Sequence, residues 1–86
     1  LDVSKFATLQ VKASESAAKL GVAQTQAAAA MAKANEMVAG GKASAEQIAV
    51  AQAKAALAAE KVGVAENAAG IAIQKVQAEA GQGVRS

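Results

Sequence analysis

Small or apolar residues recur in alternating steps of three and four from Phe6 to Met37, through Leu9, Ala13, Ser16, Leu20, Ala23, Ala27, Ala30 and Ala34. That spacing keeps one face of a helix apolar and predicts an α-helix over about 4–39. Asp2 and Ser4 are both candidate N-caps. The run stops at Gly40-Gly41, where Gly40 is expected to take the left-handed position after the helix and Gly41 to add freedom. Ser44-Ala45-Glu46-Gln47 then fits a capping box, with Gln47 reaching back to the serine. A second helix is predicted over about 45–80, with the turn at 40–44 and a flexible tail over 81–86, released by Gly81 and Gly83. A short glycine-containing connection between two long helices implies an antiparallel pair. The expected architecture is all-α, a single helical-hairpin domain spanning 1–86.

The second helix carries two apolar heptad rows. One is Ile48, Ala55, Val62, Ala69 and Val76; the other is Val50, Leu57, Val64, Ile71 and Ala78. At about 100° per residue these rows lie on opposite sides of the helix. One partner helix buries only one of them. The second neighbour must come from another molecule, so the hairpin is expected to polymerise into a helical filament. The expected assembly contacts are Phe6, Leu9, Leu20, Ile48, Val50, Leu57, Val62, Val64, Ile71 and Val76. Gly63 and Gly70 let a neighbouring backbone come close. Gly21 also interrupts a helix, at a cost of roughly 1 kcal/mol relative to alanine, which calls for a packing reason.

Polar positions are just as regular. Lys5, Lys12, Lys19 and Lys33 share one heptad register, with Gln26 in the vacant slot. Lys54, Lys61 and Lys75 share another, with Ala68 in the vacant slot. A seven-residue step drifts by only about 20° on a straight helix, so each set paints a stripe that stays wet when other faces are buried.

Composition explains why a monomer is unsatisfying. Of 86 residues 27 are alanine, and Leu, Ile, Val, Met and Phe together number only 19. A methyl group removes little area from water, at roughly 25 cal/mol per Å². Without cysteine, disulfides cannot support the thin core. The net charge is +2, and acids interleave with bases as Glu15 with Lys19, Lys42 with Glu46 and Lys75 with Glu79. Such i,i+4 pairs suit a solvated helix better than a nucleic-acid surface, which clusters its basic residues and often adds stacking aromatics. The longest charge-free run, Leu20 to Ala32, is 13 residues. Spanning a bilayer takes about 20, so no stable membrane insertion is expected. No signal peptide is visible, and a first residue of Leu fits a trimmed or processed start.

Little remains to carry chemistry. Without His or Cys there is no zinc site and no Cys/His nucleophile. Gly41-Lys42 is no phosphate loop, because Glu36 stands where its first glycine belongs and Ala43 where its Ser or Thr belongs. No enzyme activity, metal or cofactor is expected.

A small, cysteine-free hairpin with more apolar surface than it can bury resembles the needle and pilus subunits of type III secretion systems. The serine cap in Lys42-Ala43-Ser44-Ala45 matches the needle turn, which commonly reads Pro-Ser-Asp-Pro. The needle tyrosines and N-terminal Trp motif are absent, which makes the chain more similar to the Hrp pilins of plant-associated bacteria, rich in Ala, Gly, Gln and Ser. The resemblance implies a secreted, cell-surface filament around a narrow channel that conducts unfolded effector proteins. It further implies that Lys54, Lys61, Gln74, Lys75 or Arg85 faces the channel or the solvent; the hinge at Gly40 and Gly41 is read from the two adjacent glycines themselves. The alternatives are a phage coat or conjugative pilin, or a soluble secreted hairpin dimer.

Overall fold

The computed structural model describes residues 2–85, with side chains described for 2–82. It is an all-α hairpin of two helices, α1 (Val3–Gly40) and α2 (Ala45–Arg85), with no strand among the described residues. Asp2 caps α1: its side chain accepts from Lys5 N–H at 3.0 Å, while Phe6 N–H donates to its carbonyl at 2.9 Å. Of the two cap candidates, the structure uses the first. At α2 the capping box is reciprocal. Ser44 N–H donates to Gln47 Oε1 at 3.0 Å, and Gln47 N–H donates to Ser44 Oγ at 3.1 Å.

Two boundaries differ from expectation. The left-handed residue is Gly41, at φ 66°, and Gly40 closes α1 in helical conformation. Two adjacent glycines make either one acceptable there. Using the second leaves Gly41 to Ser44 for the crossing, with Ala43 half-buried beneath it. The second difference is the expected tail: α2 runs on to Arg85, and Ser86 lies outside the described residues. A glycine costs a helix only about 1 kcal/mol relative to alanine, and Gly81 takes no left-handed φ. Gly81 is half-buried and stays within the helix.

The ten residues of the first-helix stripe are the only ones in α1 that are not exposed. They pack on Ile48, Ala51, Ala55, Ala58, Val62, Ala65, Ala69, Ala72, Val76 and Glu79 of α2, which repeat the same three-four alternation. This seam places positions a and d of a heptad between the helices. Phe6, Leu9 and Val76 serve its open end, Met37 and Ile48 its closed end, and alanine most of the length between. Among the described residues the buried apolar ones are Ala27, Ala34, Ala51 and Ala69, and no large side chain is fully enclosed. The result is a rod of 65 × 13 × 13 Å with a radius of gyration of 19.2 Å. A compact domain of this length would have a radius near 12 Å.

Candidate functional site

The seam settles where every other row must lie. Around each helix the heptad positions follow one another as a, e, b, f, c, g, d, because successive residues advance about 100°. All seven ladder lysines immediately precede a seam residue: Lys5 before Phe6, Lys33 before Ala34, Lys54 before Ala55, Lys75 before Val76, and so on. They occupy position g in both helices. In an antiparallel pair the two g rows border the same side of the seam, so the two ladders become one basic flank.

The grooves on that flank record the merger. Lys33 and Lys54 line a groove of about 460 Å³ with Met37 and Val50. Lys12, Lys19 and Lys75 share another of about 310 Å³ with Leu9 and Ile71. Lys19 and Lys61 meet across a third, beside Val64. Glu46 and Glu15 reach the first and second grooves, yet neither forms an ion pair there. Among the described residues the only ion pair is Lys5 Nζ to Glu79 Oε2, at 3.6 Å.

Glu79 corrects an expectation. Its i,i+4 spacing from Lys75 suggested a solvated surface pair, but it occupies the seam row three residues after Val76 and is the one buried charged side chain described. Its Oε1 accepts from Asp2 N–H at 3.2 Å, so a carboxylate on the last turns of α2 closes the start of α1. The signal was present: position 79 continues the seam alternation.

The expected assembly residues divide into two groups. Phe6, Leu9, Leu20, Ile48, Val62 and Val76 are half-buried in the seam and serve the hairpin itself. Val50, Leu57, Val64 and Ile71 occupy position c of α2 and remain 44–71% exposed. Gly63 and Gly70 are exposed, and a methyl group built on either would meet nothing within 4 Å. Of the expected wet stripe, Lys54, Lys61 and Lys75 do line the basic flank. Gln74 is exposed at position f, on the back of α2, and lines none of these grooves. The Arg85 side chain lies outside the described residues.

Among the described residues no cluster of three potential metal-ligating side chains occurs, and no helix is long and apolar enough to cross a membrane. What the molecule offers is surface: a lysine flank, an apolar outer row and an opposite flank of small residues. Comparison with protein-family models, curated proteins and solved structures found no match to this chain.

Proposed function

We propose that the chain is the structural subunit of a homopolymeric helical filament. The observation that carries this reading is the row Val50, Leu57, Val64 and Ile71, which lies beside the seam on α2 and stays 44–71% exposed in the lone hairpin. Area points the same way. The hairpin exposes 6066 Å², whereas a compact monomer of its mass would expose about 4,600 Å². The difference, about 1,500 Å², compares with about 800 Å² buried per partner in one stable contact, so two neighbours per subunit would absorb it.

The resemblance to type III secretion pilins supplies the finer proposal: an extracellular, hollow filament that conducts unfolded effector proteins. A lysine-rich lining suits that role, because small and charged groups hold water where an apolar wall would retain an extended chain.

Negative-stain microscopy across a concentration series tests the assembly. Filaments above a threshold concentration are the expected result; a compact monomer at all concentrations would overturn the reading. A discrete dimer with no larger species would favour the soluble hairpin dimer. Recovery from membranes before assembly would favour a coat protein or conjugative pilin.

A further inference from the structure

Opposite the basic flank lies a face built from positions e and b of both helices. It contains no lysine, and its one charge is Glu66. A groove of about 300 Å³ on this side is lined by Gln24, Ala27, Ala28, Met31, Ala59 and Val62. Three mid-helix glycines, Gly21, Gly63 and Gly70, share position b here. Each weakens its helix relative to alanine. Nothing inside the hairpin requires them, since a methyl group at any of the three meets no atom within 4 Å.

We propose that this lysine-free flank is the seat for a second copy of the chain, which lays its outer α2 row (Val50, Leu57, Val64 and Ile71) along Gly63 and Gly70. The proposal rests on the assembly reading above and specifies its contact. Charge disfavours the alternative in which basic flanks meet, because among the described residues six lysines, Lys12, Lys19, Lys33, Lys54, Lys61 and Lys75, form no ion pair and only Glu15 and Glu46 share their grooves. Spacing fits the assignment: the side chains of the outer row and the two α2 glycines both repeat every seven residues, about 10 Å along a helix. Glu66 lies between those glycines in sequence, and its sign suits the lysines that border the arriving row. The donor row and the receiving flank lie on different sides of one subunit. A contact between identical patches would leave one of them bare. Joining them head to back buries both and adds subunits in one direction, which gives an open filament when the rotation between copies does not close a ring.

The test compares wild type, Gly63→Leu/Gly70→Leu and Lys12→Gln/Lys33→Gln by sedimentation and circular dichroism. The leucine variant is expected to melt no lower than wild type, given the open space at both sites, while its threshold for assembly rises at least tenfold. The glutamine variant is expected to assemble at the wild-type concentration or below it. Leucine-variant filaments forming at the wild-type threshold would overturn the proposal. Wild-type chains that never assemble would overturn the assembly reading itself. If the leucine variant lost helicity, cross-linking decides. Chains carrying Val64→Cys should form disulfides with chains carrying Ala59→Cys, and preferential pairing of Val64→Cys with itself would overturn the head-to-back contact.

Discussion

Glu79 shows how one side chain can hold a rod at its tip. Its carboxylate reaches both Asp2 N–H and Lys5 Nζ, so it ties the first turn of α1 to the far end of α2. A hydrogen bond to a charged group is worth about 1.5–3 kcal/mol, and Glu79→Ala should lose stability in that range, read as a lower urea midpoint. Glu79→Gln keeps an acceptor for Asp2 N–H and should lose less. An Ala variant as stable as wild type would show that the contact is idle. The two turn glycines make a second contrast. Gly41 has φ 66°, where a side chain costs about 1–2 kcal/mol, so Gly41→Ala should lower the melting temperature. Gly40 is helical with open space around its Cα, so Gly40→Ala should raise stability by up to about 1 kcal/mol. Sequence reading reversed these two roles, because nothing local distinguishes neighbouring glycines until the length of the crossing is known.

At the scale of elements, the seam was legible and its consequence was not. Every α1 residue expected on the apolar stripe is shielded, because a three-four alternation over ten positions admits only one face. The capping box was legible for a similar reason, since Ser44 and Gln47 act within one turn. Ser44→Ala should cost about 1 kcal/mol in thermal melts. The lysine ladders were visible one helix at a time. That they form a single flank depends on both rows preceding the seam, a relation between helices that no single-helix pattern contains. The Ala27 methyl is closely covered by the facing helix, at 3% exposed. Ala27→Leu should therefore force the helices apart and cost about 1–3 kcal/mol, seen by chemical denaturation.

On the scale of the whole molecule, two flanks of unequal charge govern behaviour in solution. Lysines on one helix recur at steps of about 10 or 20 Å along the axis, at or beyond the screening length at 0.1 M salt. Repulsion between basic flanks is thus felt mainly at lower ionic strength. The assembly threshold should fall severalfold between 0.01 and 0.15 M salt, by light scattering, and then level off. A threshold indifferent to salt would remove the basic flank from the account of assembly. The alanine seam has a further mechanical meaning. One layer of methyl groups is shaped much like the next, so the middle of the rod supplies little friction against sliding. Axial register is held at the tips, by the four-residue turn at one end and the Glu79 clasp at the other. Releasing the clasp would leave register to the turn alone, so the rod would behave like tweezers hinged at one end, its open tips slipping and parting first.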